Sequence, residues 1–194
     1  MADGRLILAS ASPRRVQLLA QIGMCADEIK PADVDECTWP QELPRDHVKR
    51  LAHLKATAIA PEFPNDYILA ADTVVACGRR ILGKAENENQ ARKHLKMLSG
   101  RRHRVFGAMC LIDPERVHRL RLIETAVTFK VLHSSEIDEY IKSQEWQDKA
   151  GSYAIQGLAA KYIVKISGSY SNVVGLSLFE TAALLNGAGY FPSP

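Results

Sequence analysis

Apolar and polar positions change period several times along the chain, and those changes mark out its elements. Residues 5–9, "RLILA", form a short apolar run that predicts a buried strand. From Pro13 the period becomes helical. Val16, Leu19 and Ala20 share one face, Leu18 and Ile22 widen it, and Gly23 follows as a C′ residue. Ser12 and Pro13 occupy the N-cap and first helical positions. The stretch "KPADVDECTWPQELP" (30–44) holds three prolines and no period, so it reads as a long loop. Loops of that length in compact domains are often functional.

Periodicity returns over residues 46–60, a helix expected to be capped by Asp46 with Val48, Leu51 and Ala52 facing inward. "YILAADTVVACGRRILGK" (67–84) predicts a strand, an interruption at Asp72, a second strand, a turn near Gly78 and a short third strand. Asn87 and Gln90 form a capping-box variant that opens a helix running to Leu98. Residues 103–112 and 120–132 predict two strands joined by "DPERVHR", and "SSEIDEYIKS" (134–143) a capped helix. A glycine-punctuated stretch follows, read as loop, strand and tight turn, before a last helix over 178–186. This order of elements predicts an α/β fold with a mixed sheet and helices on its faces.

Composition narrows the class. Hydrophobic residues make up 46% of the 194 and charged residues 24%, an ordinary soluble balance. The net charge of +3 permits an anionic ligand but lacks the clustering expected of a nucleic-acid partner. No run reaches the roughly 18 apolar residues of a membrane helix, and the N-terminus has no signal-peptide pattern. Cys25, Cys37, Cys77 and Cys110 are scattered without a CxxC pair, which predicts reduced thiols in a cytoplasmic protein.

The chemistry begins with Arg14 and Arg15. Both fall in the first helical turn, where the dipole makes cations mildly unfavourable. An anion would reverse that sign. A strand, a small-residue turn and a helix N-terminus offer free N–H groups to a phosphate, and Ser10 and Ser12 add hydroxyls. The alternative is an exposed arginine pair at small local cost. Asp72 breaks an apolar run, where a buried carboxylate needs a partner or a metal. Mg²⁺ would suit it, since that ion takes one or two carboxylates together with phosphate oxygens; a strand-end aspartate capping a turn fits as well. Glu36, in the acidic "DVDE" loop, could join Asp72 or remain solvated. Lys55 and Lys84, taken singly, read as surface residues. The amide of Gln156 offers one donor and one acceptor, complementary to the edge of thymine or uracil, although a structural role is the commoner one for a lone glutamine. His103, among three arginines, reads as structural, with its proton affinity lowered by their charge. No P-loop, GxGxxG, HExxH or nucleophile elbow is present.

Taken together, eight segments resemble the Maf family of nucleoside triphosphate pyrophosphatases: "LASASPRR" (8–15), "DVDE" (33–36), "RLAHLKA" (50–56), "AADTVV" (70–75), "LGK" (82–84), "LSGRRHRV" (98–105), "DKAGSYAIQG" (148–157) and "GSYSNVVGL" (168–176). The resemblance implies one domain over residues 1–194. It also implies an elongated mixed sheet flanked by helices, with two lobes about a central cleft, similar to inosine triphosphate pyrophosphatases. It implies house-cleaning hydrolysis of a nucleoside triphosphate to the monophosphate and pyrophosphate, dependent on Mg²⁺ or Mn²⁺. Arg14, Thr73 and Gln156 match the branch that prefers dTTP and UTP. In this reading Ser10, Ser12, Arg14, Arg15, Lys55 and Lys84 hold the substrate, Glu36 and Asp72 hold the metal, Asp72 also activates water, and Thr73 and Gln156 read the base. A homodimer is compatible with the resemblance. A nucleotide-binding regulator of septum formation and a purine-directed pyrophosphatase stay open as alternatives. Ala85, Gly107 and Ser177 depart from the family's common proline, threonine and proline.

Overall fold

A computed structural model describes residues 4–191. In chain order its elements are β1 (Leu6–Ala9), α1 (Pro13–Gln21), β2 (Glu28–Ile29), α2 (Pro44–Ile59), β3 (Tyr67–Cys77), β4 (Arg80–Leu82) and α3 (Glu88–Leu98), followed by β5 (Arg102–Ile112), β6 (His118–Phe129), α4 (Ser134–Lys142), β7 (Ile163–Ser167), α5 (Tyr170–Val174) and α6 (Leu178–Gly187).

The strands form one seven-stranded mixed sheet in the order β2-β1-β3-β5-β6-β7, with β4 pairing β3 off that path. β1 is parallel to β2 and β3, and the remaining pairs are antiparallel. All four residues of β1 are buried, as a central parallel strand with both faces covered requires. The two faces carry separate cores. Leu6, Leu8, Leu69, Ala71 and Val75 pack with Leu18 and Leu19 of α1 and with residues of α3, α4 and α6. Ile7, Ala9, Ile68, Ala70 and Val74 pack under Val48, Ala52, Ala56 and Ile59 of α2. Each fully buried large aliphatic side chain contributes about 1.5–3 kcal/mol.

The mixed α/β reading therefore holds, with several local corrections. β3 runs unbroken through Asp72, because Lys55 partners the carboxylate and the ladder to β5 continues through Asp72↔Ala108. α2 begins at Pro44 with Leu43 as N-cap, and Asp46 lies inside the first turn. Proline suits that first position because its missing N–H would be unpaired anyway. Ser12 is the N-cap of α1 by position, but its side chain makes no cap bond. Gly23 (φ 70°) ends α1 with bonds from Gly23 N–H to the Ala20 carbonyl and from Met24 N–H to the Leu19 carbonyl. Asn87 caps α3 by accepting from Gln90 N–H, while the Gln90 side chain accepts from Glu86 rather than Asn87, so the capping box is only half formed. β6 is displaced from its expected 120–132, and β2 and α5 were not anticipated; each is too short to generate a period.

Candidate functional site

Strand alternation decides the layout of the site. Successive residues of β3 point to opposite faces, so Asp72 faces α2 and Thr73 faces α1. A cavity of about 1150 Å³ opens there, lined by the start of α1, the 31–42 loop, α2, the middle of β3, residues 83–86 and residues 148–156. All ten sequence-predicted site residues line it: Ser10, Ser12, Arg14, Arg15, Glu36, Lys55, Asp72, Thr73, Lys84 and Gln156.

On the α2 side, Lys55 is buried, contrary to its reading as a surface residue. Its ammonium donates to Asp72 Oδ1 at 2.7 Å and lies 2.6 Å from Glu36 Oε1. One cation thus joins two carboxylates from distant parts of the chain. Burial opposes ionisation of Glu36, but the hydrogen bond and charge of Lys55, with Lys84 and Arg15 behind it, leave its carboxyl below the usual range. The acidic loop is therefore engaged at Glu36 rather than merely solvated.

On the α1 side, Arg15 is buried and held at three nitrogens. Nη1 donates to Ser10 Oγ (2.9 Å), Nε to the Gly175 carbonyl (2.9 Å) and Nη2 to Thr73 Oγ1 (3.3 Å). Gly175 follows α5 at φ 146°, a region that favours glycine, and this turn aims its carbonyl at the guanidinium. Every one of these acceptors is neutral. Among the described residues no carboxylate lies within 4.0 Å of Arg15. Burial accordingly lowers its proton affinity, with the charges of Asp72 and Glu36 opposing and that of Arg14 adding to the fall. A buried cation solvated only by neutral dipoles is an electrostatic vacancy for an anion.

Arg14 is half-buried, and no side-chain hydrogen bond engages it among the described residues. Burial lowers its proton affinity too, and Asp148 partly offsets this. Lys84 is exposed on the cavity wall, where its backbone bridges Ala150. Gln156 is exposed, and among the described residues its amide has no partner, so the structural role read from the isolated residue is not observed. Thr73 bonds to Arg15 and the Gly175 carbonyl, which leaves it coupled to the guanidinium.

Sequence reasoning missed several lining groups. Lys149 is one: burial and the charge of Arg14 lower its proton affinity, while Asp148 and Glu145 oppose them. Its place beside Asp148 in the "DKAG" segment was the available signal. Trp39, Glu42 and Arg79 also line the cavity, and nothing in their spacing marks them out. His103 is structural as read, but for a different reason. Burial, rather than neighbouring arginines, lowers its pKa to about 4, and Nε2 pairs with Tyr153 Oη at 2.9 Å. At Gly107, a Cβ would stand 1.9 Å from Asn172 Oδ1, so Asn172 occupies the room that the family's threonine would need.

The sequence matches the family described as Maf-like protein over residues 5–188. The chain belongs to the Maf family. Among curated Maf relatives, a dTTP/UTP pyrophosphatase of Paramagnetospirillum magneticum is 58% identical over 96% of this chain and 98% of its own length. One from Rhodospirillum rubrum is 56% identical over 98% and 91%, and one from Caulobacter vibrioides 52% over 99% and 100%. A solved HAM1 protein from Coxiella burnetii matches with a TM-score of 0.52 at 13% identity, covering 95% of this chain and 99% of that one. The fold is thus shared with the HAM1 protein, as the mixed sheet flanked by helices anticipated.

Proposed function

We propose that this protein hydrolyses dTTP and UTP to the nucleoside monophosphate and pyrophosphate as a cytoplasmic house-cleaning enzyme. The observation that carries the reading is the buried Arg15, bound only to neutral acceptors, beside the two carboxylates gathered on Lys55. Nearly full-length relatives named for the same activity support it. Among the described residues no helix is long and apolar enough to cross a membrane.

The triphosphate lies against the N-terminus of α1. Arg15 and Arg14 supply charge-assisted donors, with Ser10 and Ser12 beside them. Lys84 neutralises phosphate oxygens from the opposite wall. Glu36 and Asp72 are hard oxygen donors converging on one cation, a set that fits Mg²⁺ or Mn²⁺ together with phosphate oxygens. Such an ion would supply Lewis-acid stabilisation of the charge that develops on the phosphate. Asp72 orients a water toward the α-phosphorus and takes its proton. The α–β bond breaks, and pyrophosphate departs against Lys55, Lys84 and the arginines. General-base assistance is typically worth about 10²–10⁴ in rate, and electrostatic stabilisation at least as much. Gln156 presents its donor and acceptor to the pyrimidine edge.

The experiment is a nucleoside triphosphate panel with Mg²⁺ and product identification. Pyrophosphate should appear fastest from dTTP and UTP. Asp72→Asn should abolish its release while circular dichroism is retained. Nucleotide binding without product would replace the enzyme reading with that of a regulator, and an active Asp72→Asn variant would remove the role given to Asp72.

A further inference from the structure

The cavity extends past the groups that a nucleoside triphosphate would use. Its volume of about 1150 Å³ exceeds the roughly 300–1,000 Å³ of ordinary small-molecule pockets. Gln156 lies in the 155–157 turn beside Ile155, on the sheet face that carries α1. Asp72 and Lys55 sit on the face that carries α2. On this second side, at the end of the 31–42 loop, stands Trp39, a lining residue with 60% of its surface exposed.

Trp39 is built into place. The Arg50 guanidinium covers one face of its ring at 4.1 Å. Glu42 accepts from the Trp39 backbone N–H at 3.1 Å and from Arg50 Nε and Nη2 at 2.7 and 2.8 Å, and His47 Nδ1 lies 2.8 Å away. Arg50 also donates to the Cys37 carbonyl at 2.9 Å. These contacts hold the Glu42 carboxyl down at about 2, chiefly through the Arg50 hydrogen bonds. An exposed indole fixed from beneath by a cation is a preorganised stacking surface for a planar ring. Arg79, on the neighbouring wall, has no partner among the described residues and offers a charge to one more phosphate.

We propose that Trp39, backed by Arg50, forms a second subsite that takes the distal base of a dinucleoside polyphosphate whose pyrimidine end occupies the Gln156 wall. The inference rests on the pyrophosphatase reading above. Water adds through oxygen to the α-phosphorus at the pyrimidine end, and its proton leaves through Asp72. The α–β P–O bond breaks and its electron pair stays with the departing chain. A uridine–adenosine tetraphosphate (Up4A) plus water thus becomes UMP plus ATP.

The test measures Up4A and UTP side by side on wild-type protein, Trp39→Ala and Trp39→Phe, with Mg²⁺ and chromatographic identification of products. Wild type should release UMP and ATP in equal amounts. One stacked base contributes about 5- to 150-fold in affinity. Trp39→Ala should therefore lower kcat/KM for Up4A about ten-fold more than for UTP, through KM, and Trp39→Phe should restore most of that difference. Hydrolysis of UTP with Up4A left intact would overturn the subsite and leave the pyrophosphatase reading standing. Release of AMP and UTP, or an equal effect of Trp39→Ala on both substrates, would overturn it as well. Wild-type protein inert toward both would bring down the pyrophosphatase reading and the subsite together.

Discussion

Replacing Lys55 with methionine tests the centre of the site. Methionine matches the apolar stem of the side chain and removes the charged end. Asp72 and Lys55 are buried, so breaking their 2.7 Å pair leaves a carboxylate in the cleft floor without a cation. Removing one partner of a buried pair costs about 3–5 kcal/mol. Glu36, the second partner, has a side chain 52% exposed, and solvent screens its share. The expected loss is about 2–3 kcal/mol, or about 4–12 °C in Tm for a chain of this size. The sign with pH follows from Glu36, whose carboxyl Lys55 holds below its ordinary value. That contribution exists above the unfolded value near 4.5 and is lost as pH falls. The deficit of Lys55→Met should therefore be largest at neutral pH and shrink in acid. A divalent cation should restore it, because two converging carboxylates with no ammonium between them are a better cation site. Bound at a hundred times its Kd, the ion would contribute about 2.7 kcal/mol. The assay is differential scanning calorimetry at pH 7 and pH 4, in chelator and in excess Mg²⁺ or Mn²⁺. A variant melting within about 1 °C of wild type in chelator would refute the reasoning. So would a divalent-dependent gain no larger than that of wild type.

Other expectations follow from single contacts. Gln156→Ala should flatten the ranking of bases in the nucleotide panel while metal dependence is unaltered; a uniform loss across all nucleotides would contradict its base-reading role. His103 has its pKa lowered from 6.5 to about 4 by burial, so the folded state resists a proton that the unfolded chain accepts. Its contribution is present above pH 6.5 and is lost as pH falls toward 4, on the order of 3 kcal/mol in all. Urea midpoints should show this slope in wild type and a shallower one in His103→Phe; parallel slopes would exclude it. Gly107→Thr should cost about 1–3 kcal/mol in chemical denaturation, because its Cβ meets Asn172 Oδ1 at 1.9 Å. Adding Asn172→Ala should relieve part of that strain.

Much of this molecule is legible from its residues alone. The period changes delimit α1 and α3 and the long loop, because helical amphipathicity and cap chemistry are local properties. The arginine pair at the start of α1 carries a charge conflict visible without coordinates, and the conflict identifies the wall of the cleft. The functional segments sit in register with a family whose chemistry they fit.

What the sequence could not determine is whatever depends on distant partners. Asp72 reads as a break in a strand because an isolated carboxylate is costly in an apolar run. Lys55, 17 residues earlier, removes that cost, and the strand continues. Arg15 looks like one of two equivalent arginines until Gly175, 160 residues away, supplies the carbonyl that holds it. Arg14 is left half-buried and without a side-chain hydrogen bond among the described residues, so only the fold distinguishes a fixed cation from an available one. Strand alternation sends Asp72 and Thr73 to opposite faces, but the residues that meet them there are set by packing. Local order follows from local periodicity. Burial and charge compensation are properties of neighbours in space, and only the folded chain brings those neighbours together.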